Sequence, residues 1–174
     1  MKFDLSDSLD ILERTPIILE NLLSHLALEW VVSNEGENTW SPFDVLGHLV
    51  HGERVDWPQR IKKILDHSLD RHFEPFDRFA QFQESQGKSL QDLLDEFAKL
   101  RQENLELVNA LNITETELSK TGVHPSFGEV TLQQLLATWV VHDLNHISQI
   151  LRVMGKQYAV ETGPWRENLR LIKN

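Results

Sequence analysis

The sequence predicts an all-α protein that folds as a four-helix bundle. Three observations favour this fold class: apolar residues recur at helical spacing in four long segments, three of these segments begin with capping signals, and no segment alternates convincingly at the period of a strand. The length of 174 residues is typical of one domain, so we expect a single domain over residues 1–174.

The first two predicted helices each contain a proline. The first covers residues 5–28, and we expect a break or kink at Thr15-Pro16 because proline has no amide hydrogen. The second covers residues 41–66, and Pro58 is expected to bend it for the same reason. Each segment is long enough to run the length of a small bundle.

The starts of the second, third and fourth helices carry the same capping signal. In each, a Ser or Thr N-cap is followed three residues later by Asp or Gln, which closes a capping box. The three pairs are Ser41 and Asp44, Ser89 and Asp92, and Thr131 and Gln134. The third helix is therefore expected over residues 90–111 and the fourth over residues 131–155, with Gly155 as its C-terminal stop.

The connections between the helices constrain the topology. Residues 29–40 join the first two helices, whereas the 22 residues from 67 to 88 separate the second and third, far more than antiparallel neighbours need. We therefore expect a crossover that makes the second and third helices parallel. Residues 112–130 contain Pro and Gly and are predicted to form an irregular loop, a candidate functional segment.

Composition excludes several classes of function. The chain has 27 acidic and 17 basic side chains, a net charge of −10 and a pI near 5.2, which oppose nucleic-acid binding because that affinity depends on basic side chains. There is no cysteine, so any metal must be held by imidazole or oxygen ligands. Without a run of 18 apolar residues or an N-terminal apolar leader, we expect a cytoplasmic protein with no membrane partner.

The eight histidines are the candidate metal ligands, and half of them have an ordinary interpretation. His25, His67 and His72 are expected on solvated faces or helix ends. His124 lies in the predicted loop beside Pro125, and nothing in the sequence fixes it at a pocket mouth. The other four histidines lie on the second and fourth helices.

The side chains of three of those four histidines are expected to lie close together. His142 and His146 are four residues apart, so they project from one face of the fourth helix at a spacing that suits one ion. A helical wheel puts them at the seam between the apolar and polar arcs. His48 reaches the same level if the second and fourth helices are antiparallel neighbours, and His51 is its rival on a less apolar face. The alternative is that these histidines are hydrogen-bonded core residues.

Two segments and the tail of the chain resemble the DinB-like (DinB/YfiT-like) superfamily of bacterial proteins, especially its branch with a Trp-Ser-Pro start to the second helix. They read TWSPFDVLGHLVHGERVDW, GEVTLQQLLATWVVHDLNHISQILRVMG and YAVETGPW. The resemblance spans nearly the whole chain. It implies an up-down-down-up four-helix bundle, commonly a homodimer, with a divalent metal ion on three histidines that fall on His48, His142 and His146 here.

Three histidine ligands leave at least one coordination position open, which is typical of catalytic metal ions. Zinc is the first choice, and nickel, iron or manganese also suit imidazole. Characterised members of the resembled family include S-transferases and isomerases that use bacillithiol or mycothiol. We therefore expect a metal-dependent transferase with a low-molecular-weight thiol as cosubstrate, or a hydrolase, acting on a small molecule. The alternative is a non-catalytic metal-binding or stress-related interaction protein in which the ion is structural.

Two acidic residues are candidates for supporting the site, and no catalytic residue is assigned. Asp143 falls in the apolar arc of the fourth helix, where a carboxylate needs a partner: a ligand such as His48, or else Arg60. Glu53 leans toward the core, where it either accepts a proton from bound water or forms a salt bridge inside the bundle. Asp56 and Arg60 are spaced as a helical ion pair.

Overall fold

The computed structural model describes residues 1–66 and 68–173, so the expectation for His67 lies outside the described residues. Within the described ranges the chain forms eight α-helices and one antiparallel hairpin. In chain order these are α1 (Leu5–Leu23), α2 (Leu28–Val32), α3 (Pro42–Val55), α4 (Trp57–Leu65), α5 (Ala80–Glu84), α6 (Leu90–Ala110), α7 (Glu115–Leu118), β1 (Thr121–His124), β2 (Gly128–Thr131) and α8 (Leu132–Gln157). Two 3-10 helices, Gly163–Asn168 and Arg170–Ile172, follow α8.

The predicted starts of the long helices are confirmed. Ser41, Ser89 and Thr131 each accept a backbone N–H from the third helical residue, whose side chain accepts the N-cap backbone N–H in return. α1 has a cap of its own, because the Asp4 carboxylate accepts the backbone N–H of Asp7 at 3.0 Å. These caps fix where each helix begins and hence the level of every side chain on it.

Two helix ends differ from the predicted ones. α1 is continuous through Pro16 and ends before Ser24, since Ser24 has an extended backbone and His25 a positive φ of 60°. α8 continues for two residues past Gly155. This glycine makes room for the C-terminal segment, because a Cβ there would lie 2.7 Å from a methyl group of Leu171.

The predicted bend of the second helix is present as a division between α3 and α4 at Asp56. Asp56 has φ −104° and ψ −72°, and Pro58 lies in the first turn of α4. Proline is tolerated there because first-turn amides have no intrahelical acceptor. α3 and α4 together form the second helix of the bundle.

Residues 112–130 are not the irregular loop that the sequence predicted. They contain α7 and most of the hairpin, in which Thr121 pairs with Thr131 and His124 with Gly128. Each strand has only four residues, too few for a strand period to be recognised in the sequence. Gly128 makes the turn with a φ of +72°.

Two apolar clusters show how the helices run. One joins the first halves of α1 and α8 to α4 and the end of α6, and the other joins the opposite ends of the same helices. The first contains Leu12, Ile61, Val108 and Leu136, and the second contains Leu19, Leu46, Leu94 and Ile150. α1 and α8 therefore run one way, and the second bundle helix and α6 run the other way. The predicted up-down-down-up four-helix bundle, with its parallel second and third helices, is confirmed.

The crossover between α4 and α6 carries α5, which packs against α3. This arrangement brings crossover residues, among them Phe76 and Arg78, beside the histidine-bearing part of α3. Within the described part of the chain, none of the helices has the length and apolar character needed to cross a bilayer.

Candidate metal centre

Three histidine side chains converge where α3 and α8 pack in opposite directions. Nε2 of His142 lies 3.2 Å from Nε2 of His48 and 3.1 Å from Nε2 of His146. One ligand atom from each ring lies within 4.8 Å of the other two. The structure thus brings together the three histidines that spacing and helix level singled out.

His51, the rival candidate, does not join this group. Its Nδ1–H donates to the carboxylate of Glu84 on α5, at 3.0 Å. It lies three residues after His48, so its side chain is rotated by about 60° around α3. This rotation directs it to α5, and its bond to Glu84 ties the crossover to the bundle.

The separations of Nε2 of His142 from the other two nitrogens fit a small divalent cation. With metal–nitrogen bonds of about 2.0–2.1 Å and tetrahedral angles, two ligand nitrogens lie about 3.3–3.4 Å apart. The observed separations of 3.2 and 3.1 Å are close to that value. Within residues 1–66 and 68–173, no fourth His, Cys, Asp or Glu belongs to the group, so an ion held here would keep an open side.

Burial keeps these imidazoles neutral. Loss of solvent is the main cause that lowers the pKa of His48 to about 3 and the pKa of His142 to about 2, and the neighbouring histidines lower both further. Burial also lowers the pKa of His146, against a smaller opposing effect of its hydrogen bond to Gln149. At neutral pH a metal ion would therefore meet free lone pairs, with no proton to displace.

One of the three rings has its tautomer fixed by a partner. Nδ1–H of His146 donates to the side-chain oxygen of Gln149 at 2.9 Å, which leaves Nε2 with its lone pair. The Nδ1 atoms of His48 and His142 are buried and find no hydrogen-bond partner in the described ranges. The His142 ring is held by packing, with the Trp57 ring edge-on at a centroid distance of 5.2 Å.

A buried charge network lies behind the histidines. Arg101 on α6 donates to Asp143 at 2.7 and 3.1 Å and to Glu53 at 2.8 Å. Glu53 also accepts the indole N–H of Trp139 at 2.8 Å and the side-chain amide of Asn104 at 3.0 Å. The three charged side chains are at most 1% exposed, so their charges are compensated by one another and by these hydrogen bonds.

This network corrects the expected partner of Asp143. The carboxylate pairs with Arg101 and with neither His48 nor Arg60, because it points into the core between three helices. Of the two roles considered for Glu53, the structure shows the salt bridge inside the bundle. Neither carboxylate lines the cleft at the histidines, and so neither is placed to accept a proton there.

The sequence interpretation missed Arg101 and Asn104. Both occupy positions of the apolar stripe of α6, where Phe97, Arg101, Asn104 and Val108 follow at steps of four, three and four residues. A cation on such a stripe indicates a buried anionic partner. Arg101 on the apolar stripe of α6 and Asp143 on the apolar arc of α8 were together sufficient to predict an ion pair between them.

The histidine group lines an open cleft of about 700 Å³, a volume in the range of small-molecule sites. Much of its wall is aromatic: Trp40, Trp57, Phe76, Phe79 and Phe127. His124, which the sequence placed in a loop, ends β1 of the hairpin and also lines the cleft, stacked on Phe127 at a centroid distance of 4.4 Å. Asp56 and Arg60 line it too, as the predicted ion pair with a separation of 2.7 Å.

Residues 11–150 match the family model of the DinB superfamily. The chain belongs to the DinB superfamily. Among solved structures, the chain is similar to YfiT from Bacillus subtilis, described as a probable metal-dependent hydrolase with an unusual four-helix bundle topology. The superposition has a TM-score of 0.73 at 16% sequence identity, and it covers 93% of this DinB chain and 91% of the YfiT chain. It is also similar to TT2238, a four-helix bundle protein, with a TM-score of 0.57, 21% identity and coverage of 82% and 94%. No curated protein matches the chain.

Proposed function

We propose that this DinB protein is a divalent-metal-dependent enzyme, in the first place a hydrolase acting on a small molecule. The observation that carries the proposal is the convergence of His48, His142 and His146 on an open cleft, with no fourth His, Cys, Asp or Glu in the group within the described ranges. A metal ion with three imidazole ligands and one open coordination position is typical of catalytic rather than structural sites. The fold of YfiT, described as a probable metal-dependent hydrolase, supports the same class.

The residues of the site have separate tasks in this proposal. The three histidines hold the ion through Nε2, and Gln149 keeps the proton of His146 on Nδ1. When bound, a divalent ion supplies Lewis acidity and lowers the pKa of water or of a thiol at its open side. The aromatic wall of the cleft offers apolar surface against which the apolar part of a substrate packs.

Zinc is our first choice of metal. It prefers four-coordinate tetrahedral sites with nitrogen ligands, and the nitrogen separations of 3.2 and 3.1 Å suit its short bonds. Nickel, iron and manganese also bind imidazole and are the alternatives. Reconstitution with each metal in turn distinguishes them through stoichiometry and activity.

Thiol transfer is the second candidate function. The cleft of about 700 Å³ has room for a low-molecular-weight thiol beside an electrophile. The chain has no cysteine, so the thiol has to arrive as a cosubstrate. The two reactions share the open position and differ in the nucleophile that occupies it.

A paired activity screen tests the proposal. Metal-free protein made without a histidine tag is reconstituted with each metal and assayed with p-nitrophenyl esters alone, and with 1-chloro-2,4-dinitrobenzene plus a panel of small thiols. We expect metal-dependent turnover that His142→Ala abolishes and that His72→Ala, an exposed histidine, leaves intact. Turnover of esters without thiol supports the hydrolase, and turnover only with thiol supports the transferase. A stoichiometric ion without any metal-dependent turnover would instead favour a structural ion.

We also propose that the protein is a homodimer. Val141, Leu144 and Leu151 on α8 are 63%, 48% and 39% exposed, and the neighbouring α1 exposes Ile11 and Ile18. An exposed apolar face of this kind suits a second copy of the same chain. Light scattering should give twice the chain mass of 20.2 kDa, and Leu144→Lys should give the monomer mass. A monomer mass for the unchanged protein would reject this proposal.

A further inference from the structure

Arg78 is a cation of the cleft that pairs with no carboxylate among the residues that the structure describes. It lies on the crossover, is exposed, and lines the same cleft as the three histidines. Within residues 1–66 and 68–173 it takes part in none of the ion pairs.

The other charges that line the cleft neutralise one another. Arg60 pairs with Asp56 at 2.7 Å, and Arg152 pairs with Glu35 at 2.8 Å. Arg78 therefore leaves the cleft with an unbalanced positive charge, although the chain as a whole carries −10. A divalent ion bound by neutral imidazoles would add further positive charge to the cleft. A concave positive site on a negative protein favours the entry of an anion.

Exposed aromatic rings adjoin this cation. Phe76 and Phe79 flank Arg78 on the crossover, and Phe127 of the hairpin lines the same cleft. Phe79 is 61% exposed and Phe127 is 78% exposed, so each ring keeps open surface for a ligand although Phe127 stacks on His124 and Phe79 on Phe82. Among the described residues, the cleft thus combines one cation outside the ion pairs with apolar surface.

We propose that the cleft binds an amphipathic anion, whose carboxylate or phosphate is held by Arg78 while its apolar part lies against the aromatic wall. This inference rests on the proposed function, because it names the substrate class of the same site. A guanidinium presents two parallel N–H donors that match the two oxygens of a carboxylate or a phosphate. Arg78 acts in binding and has no part in the chemistry at the histidines.

Calorimetric titration with four small probes tests this substrate class. Benzoate and phenyl phosphate carry an oxyanion on an aromatic ring, whereas benzamide and benzyl alcohol are neutral. In both metal-free and metal-loaded protein, we expect at least one anion to bind about tenfold more tightly than the neutral probes. Arg78→Gln should weaken that anion about tenfold and leave the neutral probes unchanged. Arg14→Gln removes the same charge from an exposed arginine on α1, outside the cleft, and should leave all affinities unchanged.

Each outcome decides one point. Tighter binding of benzoate assigns a carboxylate, and tighter binding of phenyl phosphate assigns a phosphate. Equal binding of anions by the unchanged protein and by Arg78→Gln overturns the proposal, since the anion would then be held by the metal or by the paired arginines. The absence of any preference for anions overturns it as well. Because metal-free protein is included, failure of the metal-dependent activity rejects the proposed function without altering the result for Arg78.

Discussion

Arg101 and Asp143 form a bidentate ion pair at the centre of the bundle. The guanidinium of Arg101 donates to both carboxylate oxygens, at 2.7 and 3.1 Å, and neither side chain is more than 1% exposed. Asp143 directly follows His142 on α8. The pair therefore holds the part of α8 that presents two of the three candidate ligands, and it couples the stability of the core to the geometry of the site.

Removal of the buried cation should destabilise the protein strongly. Arg101→Met leaves Asp143 and Glu53 as buried carboxylates without a counter-charge, which we expect to lower the free energy of unfolding by about 3–5 kcal/mol. Urea denaturation measures the change. Lys99→Met is the matched control on the same helix, because Lys99 is exposed and its pairing distance to Glu103 is 3.9 Å. Similar losses in the two variants would show that the buried network stabilises no more than a surface pair.

Substitution of Gln149 should lower the affinity for the metal without changing the fold. Gln149→Leu removes the acceptor that keeps the His146 proton on Nδ1, and we expect metal affinity to fall about 10–100-fold. Gln149→Glu retains an acceptor at this position and should retain affinity. Competition with a chelator of known affinity gives the dissociation constants, and Asn145→Ala, an exposed position one turn earlier, is the control. Unchanged affinity in Gln149→Leu would mean that packing alone orients the ring.

The metal-free protein should lose stability in mild acid. The folded pKa values of His48 and His142, about 3 and about 2, lie below the value near 6.5 of an unfolded histidine, so the unfolded state binds more protons between these limits. Stability from these groups is complete above about pH 6.5 and declines as the pH falls, by about 2 kcal/mol per histidine at pH 5. Urea unfolding with a chelator at pH 7.5 and 5.0 measures the loss. His142→Gln should show a smaller loss, and an equal loss would contradict this cause.

A close contact under the hairpin should be sensitive to a single methyl group. A Cβ at Gly122 would overlap the ring of Phe73, which is only 4% exposed. Gly122→Ala should therefore cost about 1–3 kcal/mol through overpacking. Thermal unfolding checks this, and adding Phe73→Leu to Gly122→Ala should recover part of the loss. A stable Gly122→Ala protein would show that the hairpin moves freely away from α4.

The sequence was sufficient to group the three histidines because the grouping depends on local geometry. One helical turn separates His142 and His146, and the capping boxes at Ser41 and Thr131 fix the level of each ligand along its helix. Antiparallel packing then brings His48 to the same height. The capping signals also predicted where the long helices begin, since they depend on only four neighbouring residues.

The features that the sequence did not reveal depend on how separate elements are rotated and paired. Whether Asp143 meets Arg101 or Arg60 follows from the rotation of α6 and α8 about their axes, which the period of either helix alone does not determine. The hairpin was missed because each strand has four residues and is held by pairing between Thr121–His124 and Gly128–Thr131. Such short strands carry almost no pattern of their own.

We propose that His48, His142 and His146 hold one divalent ion. The most direct test is the metal content, by mass spectrometry, of untagged protein reconstituted with zinc and freed of excess metal. The test compares the unchanged chain with alanine variants of each ligand and with His51→Ala, another buried histidine on α3. We predict one ion per chain in the unchanged protein and in His51→Ala, and less than about a tenth of that in each ligand variant. Full metal retention by any one ligand variant, or no metal in the unchanged protein, would contradict the account.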